Sequence, residues 1–286
     1  MSMGSSQHDA TWGHASRRVA LAFGLGLVLL GGVTRVAPAA DAVATDLEQA
    51  SDLLDSWTGR PEPLQKARAL LDDVLARDPQ SAEAHRLYAR LHVISGYVRN
   101  ETFEPESLKR AEASLDRAVA LSPGLAEAHV LRGHVYRLLK RPDAAEASLL
   151  HAESLGSDSP WLALNRADLR IDRQEYDAAL ALCLSVTERK ALRPSVLDSA
   201  ESCLRDAYAG LGRVDDLEAV YRRGIERRPD DAWPRGNYAS FLLCTRQDAR
   251  SAIEQATAAL ARMDYGVGRH VLAAARYRDW ADKVHA

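Results

Sequence analysis

Ala126-Glu127-Ala128-His129-Val130-Leu131-Arg132-Gly133-His134-Val135-Tyr136, followed nine residues later by Ala145 and then by Leu149 and Ala152, is the stretch that decides the fold. Gly133 and Tyr136 are three apart, so they share one face of a helix. Gly133 and Ala145 are small, which suits two helices that approach closely. The next comparable unit opens at Pro160, 34 residues after Ala126. A fixed period of that length is the mark of a repeat architecture.

The pattern recurs in both directions. The small residue of the first helix returns as Ala89, Gly133, Ala167, Ala239 and Ala274, and its aromatic neighbour as Tyr136, Tyr208 and Tyr277. The small residue of the second helix returns as Ala67, Ala111, Ala145, Ala179 and Ala252, with Leu217 as the exception. From Ala67 the intervals are 44, 34, 34, 38 and 35 residues. Pro79, Pro123 and Pro229 close units, where proline ends one helix and opens the next.

These residues resemble the tetratricopeptide repeat, W-x2-L-G-x2-Y, then A-x3-F, then P. His129 stands in the Trp place, Arg132 in the Leu place, Leu149 for Phe and Ser157 for Pro, while Gly133, Tyr136 and Ala145 match. The resemblance implies an all-α protein, a right-handed α-solenoid of about six helical hairpins. Their expected spans are 42–79, 80–123, 124–157, 158–195, 196–229 and 230–264, with a capping helix over 266–284. The cap keeps the first-helix pattern at His270, Ala274 and Tyr277 and is expected to turn Arg276, Arg278, Asp279 and Lys283 to water. The chain is expected to be free of strands. The 44-residue interval places an insertion near 95–107, with Tyr97, Phe103 and Pro105, and the 38-residue interval a smaller one near 187–194.

Composition agrees with helix on helix. Hydrophobic residues are 47% and aromatics only 6%, too few for a typical β-sandwich or barrel. Five lysines stand against 32 arginines, a bias that points to a GC-rich bacterial source rather than to a function.

The first 39 residues read as a secretory signal peptide. Arg17 and Arg18 precede the uncharged run 19–34, and Ala37-Pro38-Ala39 supplies a cleavage site after Ala39 or Ala40. A retained anchor is the competing reading, although Arg35 stops the apolar run short of the ~20 residues that a spanning helix needs. Ser16-Arg17-Arg18-Val19-Ala20-Leu21 resembles the twin-arginine export motif, departing from it at Ala20. The expected location is periplasmic or secreted, or inner-membrane anchored and facing the periplasm if uncut. Beyond residue 39 the chain holds 34 basic and 39 acidic residues, a balance of −5, which argues against a nucleic-acid binder.

Catalytic chemistry is not legible. His85, His129 and His270 share one structural place in their repeats, and HExxH and Cys/His metal patterns are missing. Gly24-x-Gly26 and Gly266-x-Gly268 do not follow strands, and Asp215-Asp216 and Asp230-Asp231 sit where helix starts want carboxylates. No enzyme activity, cofactor, metal or small-molecule substrate is expected. Cys183 and Cys203 lie ten residues either side of residue 193, in the connection between two antiparallel helices, and are candidates for a disulfide.

A solenoid of this kind presents a concave surface built from first helices. By the family pattern the groove face carries Arg86 and Arg90, then His134 and Arg137, then Trp161, Asn165 and Asp168, with Trp233 opening the sixth hairpin. Paired hydrogen bonds from arginine suit an acidic segment of a protein or peptide. The reading is a noncatalytic interaction scaffold of the bacterial cell envelope. The alternative is a structural subunit of an envelope export or assembly machine.

Expressed in a bacterial host, the chain should be found outside the cytoplasm with its N-terminus at residue 40 or 41. N-terminal mass spectrometry decides this, and soluble cytoplasmic protein starting at Met1 would overturn it.

Overall fold

The structure, a computed structural model, describes residues 39–57, 59–99 and 102–285. The signal-peptide expectation therefore lies outside the described residues. The first hairpin is α1 (Ala39–Asp55) and α2 (Pro61–Arg77), and the second begins with α3 (Ala82–Ser95). Between α3 and α4 (Pro105–Leu121) come two short strands, β1 (Tyr97–Arg99) and β2 (Thr102–Phe103). Then follow α5 (Ala126–Leu138) with α6 (Pro142–Ser154), and α7 (Pro160–Asp172) with α8 (Tyr176–Thr187). The fifth pair is α9 (Pro194–Gly210) and α10 (Val214–Arg227). The sixth is α11 (Ala232–Phe241), continued by a π-helical turn Leu242–Arg246, and α12 (Ala249–Leu260), and α13 (Gly266–His285) ends the chain.

The helix starts follow from sequence. Pro61, Pro105, Pro142, Pro160 and Pro194 each sit in the first turn, where the missing N–H costs no hydrogen bond. Ser81, Asp231 and Asp248 cap their helices with side-chain oxygens, accepting from Ala84, Trp233 and Ser251 N–H groups. The turn inside the hairpin is also repeated. Lys140, Gln174, Gly212 and Gln247 all have φ near +60°, one in each of the last four hairpins. After the first three, the next N–H reaches back to the helix: Arg141 to Tyr136 O, Glu175 to Arg170 O and Arg213 to Tyr208 O, each at 2.8–2.9 Å.

The core lies between paired helices. Ala67, Ala89, Ala111, Ala145, Ala167, Ala179, Ala239 and Ala252 are completely buried, and Leu217 fills the same place in α10. At Gly133 a Cβ atom would stand 2.5 Å from the Leu149 side chain, so glycine there is a packing requirement. Large side chains such as Leu71, Leu87, Leu91, Leu115 and Val220 fill the space between successive hairpins.

Two expectations are corrected. The insertion is not strand-free: β1 and β2 pair antiparallel, Tyr97 opposite Phe103, with their rings edge to face at 5.5 Å. Glu104 N–H closes the loop on Gly96 O at 2.8 Å, and this local bonding satisfies backbone that no helix can reach. In α13 the first-helix residues His270, Ala274 and Tyr277 are exposed, and Gly268 and Ala275 are buried instead. Arg276, Arg278 and Lys283 of that helix are exposed as expected, and Asp279 is partly buried.

Gly133→Leu should destabilise the fold by roughly 1–3 kcal/mol through overpacking against Leu149, with Gly133→Ala costing less. Thermal unfolding followed by circular dichroism measures both, and equal midpoints for all three chains would contradict the close approach.

Candidate functional site

First helices alternate with second helices along the chain, so α3, α5, α7 and α9 stand side by side on the inner surface. Each turns one stripe inward: Arg86 and Arg90 from α3; Val130, His134 and Arg137 from α5; Trp161, Leu164, Asn165 and Asp168 from α7; Ser199, Ser202, Cys203 and Asp206 from α9. Spacings of three and four keep these side chains on one face of each helix. Together with Phe103 of the insertion they enclose a cavity of about 400 Å³.

The charges are ordered across this cavity. On one wall Arg86 donates from Nε to Glu83 Oε2 at 2.8 Å. Burial works against its charge, but the Glu83 carboxylate more than compensates and holds the pKa above its ordinary value. Arg90 is paired with Asp55 of α1. In the middle, Arg137 bridges to α7, 3.3 Å from Asp168 and 3.4 Å from Asp172. Asp206 supplies negative charge on the far wall.

His134 lies beside Arg137, and its Nδ1 is buried without a hydrogen-bond partner. Burial, reinforced by the Arg137 charge, pushes its pKa from an ordinary 6.5 down to about 4, against the opposing effect of its hydrogen bond with Asn165. Of the three histidines that share one place in their repeats, two make the same structural contact. His129 Nε2 is 2.8 Å from Pro123 O, and His85 Nε2 is 3.4 Å from Pro79 O, the same contact six residues back.

Two links brace the elements around the cavity. Cys183 of α8 and Cys203 of α9 form a disulfide, with Cα atoms 5.8 Å apart, which pins the wall that carries Cys203. Arg193, in the connection between α8 and α9, pairs with Asp55 and lies 3.7 Å from Asp52, both in α1. This contact joins residues 138 apart in sequence, so the solenoid curls until its first hairpin meets the end of the fourth.

Of the residues read from sequence, Arg86, Arg90, His134, Arg137, Trp161, Asn165 and Asp168 come together here. Trp233 does not. It opens α11 outside the cavity, half exposed, with its ring 4.8 Å from that of Tyr265, which reaches under it from the connection before α13. The α9 face was missed. Its residues 199, 202, 203 and 206 carry the same spacing as α7, and that spacing alone could have found them.

Residues 126–155 match the family model of the tetratricopeptide repeat. The chain folds as a tetratricopeptide-repeat solenoid. Among solved structures, a tetratricopeptide protein of Thermus thermophilus, TTC0263, is similar at 22% identity over 70% of this chain and 99% of that one, TM-score 0.57. PilW, a type IV pilus biogenesis factor, is similar at 18% identity over 82% and 100%, TM-score 0.57. Human IFIT1, solved as a dimer with m7Gppp-AAAA, matches at 17% identity with a TM-score of 0.63. Cut9, from the hetero-tetramer Cut9-Hcn1, matches at 16% with a TM-score of 0.61. This chain spans about half the length of the last two, 51% and 46%. No curated protein matches it. At such identities the tetratricopeptide likeness concerns the fold.

The unfolded His134 imidazole takes up its proton near pH 6.5 and the folded one near 4. Between those values the unfolded chain binds more protons, so stability is complete above about pH 6.5 and falls as pH drops through the window. The loss is on the order of 3 kcal/mol at its limit. His134→Leu should flatten this part of a stability–pH curve, measured by urea unfolding between pH 4 and 7.

Proposed function

We propose that this protein is a noncatalytic scaffold of the bacterial cell envelope which holds an acidic segment of a partner protein in its concave cavity. The observation that carries the reading is the convergence of Arg86, Arg90 and Arg137 on one space large enough for several side chains. Each guanidinium already faces a carboxylate of the chain itself, from Glu83, Asp55 or Asp168. A ligand carboxylate therefore enters by exchange, replacing an internal partner without stripping an arginine bare. Arginine suits this because its planar fork accepts a new carboxylate in paired geometry.

Trp161, Leu164 and Phe103 add apolar surface beside the charges, the composition of a peptide site more than of a phosphate track. The acidic balance of the chain beyond residue 39 opposes nucleic acid, although IFIT1 was solved with a capped RNA. The signal-like N-terminus supports an envelope location. Similarity over the whole length of PilW, a pilus biogenesis factor, supports the second reading, a structural subunit of an envelope machine.

A pull-down from envelope extracts separates the two. A soluble partner with an acidic segment favours the first reading, and a fixed stoichiometric complex favours the second. Arg86→Glu with Arg90→Glu should abolish capture with helicity unchanged, and capture by the unaltered protein should weaken as salt rises. Capture indifferent to both would remove the site from this cavity.

A further inference from the structure

Asp55 stands against the rules of its own helix. It is the last residue of α1, where the helix dipole disfavours a carboxylate, and the last turn holds no basic residue to offset it. Its side chain is nevertheless only 16% exposed and is held from two sides. Arg90 of α3 pairs with it from the cavity wall, and Arg193 pairs with it from the connection between α8 and α9. Its charge also favours the charged form of Arg86, one turn before Arg90. One carboxylate at the edge of the cavity therefore acts on three arginines.

The cavity arginines are not equally open to exchange. Arg86 holds Glu83 through Nε and a terminal nitrogen, and the two lie three apart on one helix. Glu83 also sits in the first turn of α3, where the dipole favours it. Arg137 lies between Asp168 and Asp172, so an incoming carboxylate meets a charge that two others already neutralise. Arg90 differs from both, because its partner has a second cation to fall back on. When Asp55 leaves Arg90 it keeps Arg193, so a poorly exposed charge is not stranded.

We infer that Asp55 is a built-in competitor for the cavity: on Arg90 it occupies the place of a ligand carboxylate, and Arg193 takes it over when the ligand enters. This rests on the reading of the cavity as a site for an acidic segment, and it names the arginine that the first carboxylate of that segment reaches. It also makes Arg193, which does not line the cavity, a positioning residue for the site. Affinity is then the difference between two carboxylates on one guanidinium. A simple anion gains little from such an exchange. A carboxylate with apolar neighbours gains more, because Trp161 and Leu164 of the cavity add contacts that Asp55 does not make.

The test uses the full chain and a fluorescent Glu-Leu-Glu-Phe-Glu peptide blocked at both ends, with its Gln counterpart as control. Binding is followed by anisotropy. Asp55→Asn should tighten binding of the Glu peptide, on the order of threefold or more, by removing the competitor. Arg193→Ala should weaken it, because Asp55 then has Arg90 alone. Asp52→Asn makes the same change of net charge one turn away, at a carboxylate 3.7 Å from Arg193, and should have a much smaller effect. In an Arg90→Gln background Asp55→Asn should bring no gain. Asp55→Asn also relieves the unfavourable dipole interaction at the end of α1, so circular dichroism should show unchanged helicity. Asp55→Ser gives a second reading of the same substitution.

Binding of the Glu peptide that Asp55→Asn leaves unchanged or weakens overturns this inference alone and leaves the acidic-segment reading standing. Equal gains from Asp55→Asn and Asp52→Asn, or a gain that persists without Arg90, also overturn it, since net charge would then suffice. Absence of saturable binding to both the unaltered chain and Asp55→Asn up to about 1 mM peptide overturns the acidic-segment reading and this inference with it.

Discussion

The whole architecture depends on how closely the two helices of one hairpin approach. At Gly133 there is no room for a Cβ atom, and the alanines at the equivalent places are buried completely. Helices this close cannot slide past one another, because a larger residue one turn away would collide. The register of each pair is therefore fixed, and a fixed register repeated along the chain lines first helices up beside first helices. Their remaining face, which contacts neither its own second helix nor the next hairpin, becomes the wall of the cavity. The groove is a consequence of the packing that holds the hairpins together.

That dependence explains what could be read from sequence. Small residues and closing prolines leave a period that survives when Trp, Leu and Phe of the usual pattern are replaced, as at His129, Arg132 and Leu149. Groove residues on α3, α5 and α7 followed once the period was known. The α9 face did not stand out because Ser199, Ser202 and Asp206 look like any solvated helix surface, although their spacing matches that of the groove residues of α7. Trp233 misled for the opposite reason. A large side chain at a first turn suggests a groove anchor, but Tyr265, 32 residues later, lies against it.

The insertion and the last helix show two other limits. Residues 97–103 have the length of an excursion legible in the 44-residue interval, but a ladder of so few residues has no alternation to read. In α13 the pattern was visible, but the helix is turned by about one residue, so that Ala275 and not Ala274 is buried. The disulfide was legible in outline because equal distances from a turn put two residues at one level of a helical pair. Its effect on the cavity wall was not, because that requires knowing that Cys203 also faces inward.

The pairing of Arg193 with Asp55 changes the kind of object this repeat protein is. An open solenoid frays from its ends, each terminal unit holding on to one neighbour. Here the first hairpin touches the far end of the fourth, so that arc becomes a ring with a seam. The seam is ionic, and Arg193 is 59% exposed, which limits its worth to about 1 kcal/mol. The contact ties the first hairpin to the connection between α8 and α9, and it weakens as ionic strength rises.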